Sequence, residues 1–389
     1  MRSALLVTLD YPPRLGGVAV YLSKLVDNLP IGRIQVLAPP DPDAHQTDMR
    51  SAAPIYRRSL VWRWLRPSWL PACFFVNWLC RKEGEPSAII VSHLLPMGEM
   101  AYKIKRRRKI PYMVIVHGMD LALALSSGDR KRRNAERIIH AADMVVANSE
   151  YTARLAESLG AVKDRITVVR PSPEFPADTV VPEAKLAETR QKYGLEGVFT
   201  VLSVGRLVAR KGFDIGIKAL AELKNRGQKA RLVIVGDGPE RKRLEKLAAE
   251  LDLAEAVVFA GAAAADELAA LYSACDVLVM TPKSLGADVE GFGIVYLEAN
   301  LFGKPAIGSR SGGVPEAVLH EETGLLVQPG DALELAEAVQ RLASDPALKE
   351  RLGANGRRRV LEQFGWPRQA AAFGAALDHI TVGRLPAGR

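Results

Sequence analysis

Two successive α/β domains, each a doubly wound parallel sheet flanked by helices, are what this sequence predicts. Three observations lead there. Short apolar runs bounded by Gly and Pro alternate with helical patterns over most of the chain. The length, 389 residues, suits two full-sized cores. The alternation breaks once, at 171–198, where three prolines fall within 171–176 and polar residues follow, and then it restarts.

The apolar run Ala4–Leu9 is too short for the core of a signal peptide and leads directly into Asp10-Tyr11-Pro12-Pro13, so it reads as a first buried strand. Further strands are expected at 34–38, 88–92, 112–116, 143–147 and 166–170, with helices near 17–29, 60–80, 97–109, 130–141 and 150–159. This sets a first domain over 1–174 and a linker over 175–198. The second series places strands at 199–204, 231–235, 257–260, 276–280, 305–307 and 325–327. Its helices lie near 212–224, 239–251, 265–274, 293–302, 314–319 and 331–343, in a domain over 199–365. A last helical stretch, 346–380, is interrupted at Gly365-Trp366-Pro367. No membrane-spanning segment is expected: the most apolar later stretch, Trp69–Cys80, contains Pro71 and Asn77 and is about half the roughly 20 residues a span needs.

Composition narrows the class. With 48% hydrophobic and 25% charged residues, disorder and collagen-like structure are excluded. Cys73, Cys80 and Cys275 are too few and too scattered for a disulfide framework or a Cys-rich zinc site, which points to a reducing cytoplasm. The net charge of +9 is one-sided: residues 1–180 hold 26 Lys+Arg against 17 Asp+Glu, whereas 181–389 hold 27 of each. The first half therefore offers a surface for anionic lipid, nucleic acid or a phosphorylated substrate.

Four segments carry chemistry. Gly205-Arg206-Leu207-Val208-Ala209-Arg210-Lys211-Gly212 follows a strand and opens a helix. Helix N-terminal N–H groups beside Arg206 and Lys211 suit a pyrophosphate, although a solvated basic loop would read the same. Gly16-Gly17, between the first strand and first helix, is a second place for close phosphate approach, or a plain loop pair. Glu290-Gly291-Phe292-Gly293-Ile294-Val295-Tyr296-Leu297-Glu298 bares backbone N–H groups at a helix start, with carboxylates eight positions apart. One carboxylate and the N–H groups suit sugar hydroxyls, the other a ribose diol; buried-facing carboxylates on an apolar helix are costly without partners. Gly303-Lys304-Pro305 and Ser311-Gly312-Gly313-Val314-Pro315-Glu316 are expected along the same rim of strand ends. His117-Gly118-Met119-Asp120 ends a strand, where ligands of such sheets bind.

Two other patterns are set aside. Gly236-Asp237-Gly238-Pro239-Glu240-Arg241 lacks the third Gly or Ala of a dinucleotide fingerprint, and no P-loop occurs, which disfavours nicotinamide and flavin chemistry. Asp41-Pro42-Asp43 lies in a Pro-rich loop and reads as a turn, so no metal is assigned.

Taken together these segments resemble the retaining glycosyltransferases of family four, over almost the whole chain. The Gly-Arg…Lys-Gly, E-x7-E and Gly-Gly-Val-Pro-Glu segments stand in that family's order and spacing. The resemblance implies the GT-B fold, two Rossmann-like domains facing a deep cleft, with the C-terminal helix about 366–380 packing back on the first domain. It also implies that Gly205, Arg206 and Lys211 hold the donor diphosphate, that Glu290 with Gly291, Phe292, Gly293 and Ile294 holds the transferred sugar, and that Glu298 binds the ribose. Gly16 and Gly17 would close on the distal phosphate and His117 would touch the sugar. Asp120 stands where Glu is commoner, and Pro171-Ser172-Pro173-Glu174 lacks an Asn-Gly often found there; both bear on the acceptor side. Cations and a helix N-terminus aimed at the departing phosphate stabilise its charge, so no metal or other cofactor is required. No Asp/Glu pair stands out as nucleophile plus acid.

The first half is also rich in Trp and Arg. From Met49 to Lys82 there is no acidic residue, while Trp62, Trp64, Trp69 and Trp78 alternate with Arg57, Arg58, Arg63, Arg66, Arg81 and Lys82. The runs 103–109 and 130–133 add more cations. This suits an anionic membrane, while a core helix at 60–80 with a solvated basic rim fits equally. No nucleic-acid module accompanies the charge. The expectation is a cytoplasmic enzyme, peripheral on the cytoplasmic face of the membrane, moving a hexose from GDP-mannose or a UDP-hexose to a lipid-linked or membrane-proximal glycan acceptor. The Gly-Gly-Val…Tyr21-Leu22 start is similar to that of phosphatidylinositol mannosyltransferases and inclines the donor toward GDP-mannose. An epimerase of the same fold and a non-catalytic membrane-binding module are the rivals.

Overall fold

The computed structural model describes residues 2–381 apart from 15, 63, 285 and 287, so Arg63 of the basic segment lies outside the described residues. The chain divides into two compact units, 1–171 with 366–389, and 172–365.

In the first unit the strands are β1 (Ala4–Val7), β2 (Ile34–Ala38), β3 (Ile55–Arg57), β4 (Ile89–Val91), β5 (Tyr112–Val116), β6 (Met144–Ala147) and β7 (Ile166–Val168). They pair in parallel in the order β3-β2-β1-β4-β5-β6-β7. The chain moves outward from β1 in one direction, then crosses back and continues from β4 in the other, so the switch point falls between β1 and β4. β1, β4, β5 and β6 are buried on both faces, which is why they read as continuous apolar runs rather than alternating ones. Each face has its own core, one built on Leu5, Val91 and Val114, the other on Leu6, Ile90 and Ile115. Trp366, Phe373 and Leu377 of the helix Trp366–Thr381 belong to the second of these, and the N–H of Arg170 donates to the Gln369 side chain at 2.9 Å.

The second unit has β8 (Phe199–Val204), β9 (Ala230–Val235), β10 (Val257–Gly261), β11 (Val277–Val279), β12 (Ala306–Ser309) and β13 (Gly324–Val327). Their order, β10-β9-β8-β11-β12-β13, is again parallel, with the switch point between β8 and β11.

Several elements differ from the sequence expectation. The stretch taken as a linker over 175–198 contains a helix, Glu183–Tyr193, within the second unit. Its apolar side is short, Thr189 and Tyr193 being the buried positions, so its period is weak. The helix expected at 60–80 runs only over Leu70–Lys82, because Pro67 and Pro71 bar an earlier start: Pro is tolerated in a first turn and not inside. Short helices at Ala44–Arg50 and Met119–Leu125 and the strand β3 carry too few residues for a period to show. Gly303-Lys304-Pro305 lies at the amino end of β12, not on the rim of carboxyl ends; Gly303 is there the close neighbour of Gly353.

Candidate active site

In the second unit the site is built from three loops that follow β8, β11 and β12. After β8, Gly205 N donates to Val235 O and Leu207 N to Asp237 O, both at 2.9 Å. A Cβ on Gly236 would stand 2.0 Å from Gly205 O, and one on Gly238 would stand 2.4 Å from Leu207 O. The Gly-Asp-Gly segment, which did not fit a dinucleotide fingerprint, thus serves as a backbone brace for the loop 205–207. Leu207 is fully buried beneath it, and Arg206 is exposed with no ion-pair partner among the described residues.

Glu290 is where the three loops meet. Its Oε2 lies 2.6 Å from Lys211 Nζ and 2.7 Å from Arg210 Nη1, and Arg210 Nε lies 2.8 Å from Asp288 Oδ1. Burial alone would raise the Glu290 pKa, but the charges of Lys211 and Arg210 outweigh it and hold the carboxyl down at about 2. The loop bearing Glu290 is fixed from the β12 side. Gly313 N donates to Glu290 O at 3.0 Å, and a Cβ on Gly313 would stand 2.0 Å from Gly291 O. The Ser311-Gly312-Gly313 segment is therefore glycine because backbone packs on backbone there. Gly293 caps the helix Ile294–Leu301, whose first-turn N–H groups have no intrahelical partner. Phe292 is in the core against Phe364, so only its backbone is available to a ligand.

Glu298 is placed differently from an open ribose contact. It is 4% exposed and accepts from the Tyr272 hydroxyl at 2.8 Å and from the backbone N–H of Glu174. Burial raises its pKa to about 7 against the pull of those bonds. Tyr272 is packed between Phe175 and Phe302, with ring centroids 5.9 and 5.7 Å away.

In the first unit the site residues follow β1, β4 and β5. Gly16 precedes, and Gly17 begins, the helix Gly17–Asp27. His117 follows β5; its ring meets Tyr21 edge to face at 5.7 Å, and its backbone N–H donates to Asp120 Oδ1 at 3.1 Å. Burial, with the nearby His93 adding to it, drops the His117 pKa to about 3, while burial raises that of Asp120. His117 Nε2 and Asp120 Oδ2 are buried without a hydrogen-bond partner among the described residues. Beside them lies a pair the sequence reading missed: His93 Nε2 sits 3.1 Å from Asp10 Oδ2. Both are polar residues two or three positions past a strand end, and that position was the available signal. Arg210 was also missed. Within Arg206, Arg210 and Lys211 nothing in residue type says which side chains turn toward Glu290.

Two parallel sheets with charged loops at their carboxyl ends are the architecture of the GT-B glycosyltransferases. Residues 15–172 match the model of Glycosyltransferase Family 4 and residues 187–359 that of Glycosyl transferases group 1. One relative is the GDP-mannose-dependent alpha-(1-6)-phosphatidylinositol monomannoside mannosyltransferase of Mycolicibacterium smegmatis, 35% identical over 98% of this chain and 99% of its own. Another is the GDP-mannose-dependent monoacylated alpha-(1-6)-phosphatidylinositol monomannoside mannosyltransferase of Corynebacterium glutamicum, 30% identical over 94% of this chain and 95% of its own. Among solved structures, Anabaena HepE in complex with UDP superposes with a TM-score of 0.82 at 21% identity, covering 97% of this chain and 100% of that one. The chain belongs to the family 4, group 1 glycosyltransferases. It is a nucleotide-sugar hexosyltransferase, and neither the epimerase nor the non-catalytic reading finds support.

Proposed function

We propose that the enzyme moves mannose from GDP-mannose, with retention and without a metal ion, to a phosphatidylinositol-type glycolipid. The observation that supports this most is likeness over nearly the full length to mannosyltransferases whose names specify that donor and acceptor. The local chemistry is compatible with it. Arg206 and Lys211, with the loop after Gly205, present cations to a diphosphate, and charge appearing on the leaving phosphate meets groups already in place. Glu290, kept ionised, and the N–H groups from Gly291 to Ile294 hold sugar hydroxyls. Glu298 takes the ribose, its carboxylate steadied by Tyr272 and Glu174. Gly16 and Gly17 contact phosphate. His117 and Asp120 lie on the acceptor-bearing unit, and the near-neutral imidazole of His117 serves as a hydrogen-bonding group rather than a charge. The test is incubation with GDP-mannose or UDP-glucose and a phosphatidylinositol mannoside, with chelator present. A mannosylated lipid with α-linkage from GDP-mannose alone is expected; glucose transfer, or loss of activity on chelation, would overturn the corresponding part.

The same reading places the first unit on an anionic bilayer. No described helix is long and apolar enough to cross a membrane. A groove of about 850 Å³ is lined by Arg66, Lys103, Arg130, Lys131, Arg133 and Arg137, with Glu99 as its one carboxylate and Trp69 and Leu95 as apolar floor. Arg130, Arg133 and Arg137 recur at helical spacing on one side of the helix Asp129–His140, opposite buried Ala135, Ile138 and Ile139. Trp64 is 77% and Phe74 65% exposed, a pattern suited to a headgroup layer. Co-sedimentation with vesicles containing phosphatidylinositol but not with phosphatidylcholine alone, weakened at least tenfold by Arg130→Glu with Arg133→Glu, is the expected result; equal binding to both vesicles would refute it.

A further inference from the structure

The turn that joins β1 to the first helix and the turn after β4 are tied together by four side chains. Thr8 and Ser92 are fully buried, and their hydroxyl oxygens lie 2.7 Å apart. Thr8 Oγ1 lies 2.9 Å from Asp10 O and accepts from Asp10 N–H at 3.1 Å. Ser92 Oγ lies 2.9 Å from His93 Nδ1, and His93 Nε2 lies 3.1 Å from Asp10 Oδ2. With Thr8 donating to Ser92 and Ser92 to Nδ1, the imidazole carries its hydrogen on Nε2 and donates it to Asp10. The Asp10 carboxyl pKa is lowered, chiefly by the hydrogen bond from His93.

We infer that Asp10 and His93 form a hydrogen-bonded dyad in which His93 is a positioning residue, fixing Asp10 as the carboxylate that accepts from a hydroxyl of the acceptor. The placement carries this. Asp10 and His93 follow β1 and β4, the neighbouring strands on either side of the switch point, where ligands of open parallel sheets bind. Asp10 keeps about a third of its side-chain surface open, while the groups that brace it, Thr8 and Ser92, are closed to solvent. The unpartnered, buried Nε2 of His117 and Oδ2 of Asp120 stand close enough for their charges to register on the pair, and they leave room for a ligand that both donates and accepts, as a polyol does. The charged groups facing the dyad are Arg14, 3.2 Å from Asp10 Oδ1, and His117 and Asp120 from the end of β5. Without the hydrogen bond from Nε2, Asp10 turns away, and acceptor binding weakens while donor binding does not.

The inference rests on the glycosyl-transfer reading above, and amide substitutions at position 93 test it. His93→Gln carries an amide nitrogen near the Nε2 position, donating to Asp10 at every pH; His93→Asn places one near Nδ1 only. Initial rates would be measured at pH 7 with GDP-mannose and a phosphatidylinositol mannoside, varying each substrate in turn. His93→Gln is expected to keep the acceptor KM within threefold of wild type. His93→Asn should raise the acceptor KM at least tenfold, and Asp10→Asn combined with it should add little. Donor KM and thermal stabilisation by GDP should stay constant throughout. An acceptor KM unchanged in His93→Asn, an acceptor KM raised as far in His93→Gln as in His93→Asn, or a parallel rise in donor KM would each overturn the dyad. A wild-type enzyme that binds donor but glycosylates no such lipid overturns the functional reading itself, and the dyad's role falls with it. Urea midpoints of both variants guard against a folding defect, and the His93→Gln result stands if His93→Asn is unstable.

Discussion

Replacing Gly313 with Ala isolates how far catalysis depends on the exact seat of Glu290. Gly313 has an ordinary helical-side backbone, φ −87°, so alanine is not strained by conformation. Its Cβ, however, would lie 2.0 Å from the carbonyl oxygen of Gly291 and 3.2 Å from Phe292 Cα, where contacts below 3.0 Å are essentially never found. Backbone, not a flexible side chain, must yield, and by about 1 Å if the only remedy is to bring that first contact to 3.0 Å. The segment that moves carries Glu290, whose carboxylate is 2.6 Å from Lys211, and the N–H groups proposed to hold the donor sugar. Overpacking of this kind costs about 1–3 kcal/mol of stability, and a misplacement of about 1 Å costs on the order of a hundredfold in rate. Steady-state kcat/KM for the nucleotide sugar, with urea unfolding in parallel, reads both. Gly128→Ala is the control, since nothing lies within 4 Å of its Cβ and its φ is −60°. A kcat/KM within threefold of wild type in Gly313→Ala would refute the close-packed account of the loop.

Three further outcomes follow from the charges. Lys211→Met removes the stronger of the two attractions on Glu290, whose carboxyl is lowered from 4.5 to about 2; that shift corresponds to about 3 kcal/mol present above pH 4.5 and lost as pH falls toward 2. Stability at pH 7 should drop by about 2 kcal/mol and acid unfolding should begin at higher pH, both visible in urea titrations. Glu298 has the opposite sign: its pKa is raised to about 7, so its contribution is present below pH 4.5 and lost as pH rises through 7. Glu298→Gln should therefore stabilise the protein at pH 8 by about 2–3 kcal/mol relative to pH 5, while weakening binding of the nucleoside diphosphate in calorimetry. Arg206→Ala should leave the thermal midpoint unchanged within error, because the side chain is exposed and unpaired among the described residues, yet reduce diphosphate affinity about tenfold or more.

What the sequence disclosed and what it hid divide along one physical line. Buried strands such as Ile89–Val91 and Tyr112–Val116 announce themselves because both faces are covered and every residue is apolar. The segments 205–212, 290–298 and 311–316 were legible because backbone approach and charge each restrict residue type. Partnership was not legible. The sequence offers Arg206, Arg210 and Lys211 as equivalent cations, and only the turn after Val208 decides that two of them reach Glu290 while the first faces solvent. Thr8, Asp10, Ser92 and His93 are 84 residues apart at the level of the Thr8–Ser92 bond, and no local spacing connects them. The helix Glu183–Tyr193 was hidden for a third reason: it buries so little that its sequence looks like a linker.

The arrangement around Glu290 also explains why two cations hold a carboxylate that one would keep ionised. Arg210 and Lys211 face Asp288 and Glu290, two positive charges against two negative. On the proposed reading an arriving diphosphate would compete for Lys211, and every bit of that cation's charge drawn off would let burial push the Glu290 pKa back up. Starting from about 2, the carboxyl can rise by about two units and still be ionised at pH 7. With a single cation the starting value would sit higher, and donor binding would neutralise the group proposed to accept the sugar hydroxyls. Arg210, bonded to Glu290 and anchored on Asp288, is the cation that would stay if Lys211 turned to phosphate. Its loss should therefore show most strongly with donor bound: Arg210→Met should leave GDP affinity within threefold, yet make kcat fall as pH is lowered from 7 to 5.5, where the wild type is flat. An equal loss in GDP affinity would place Arg210 on the phosphate instead.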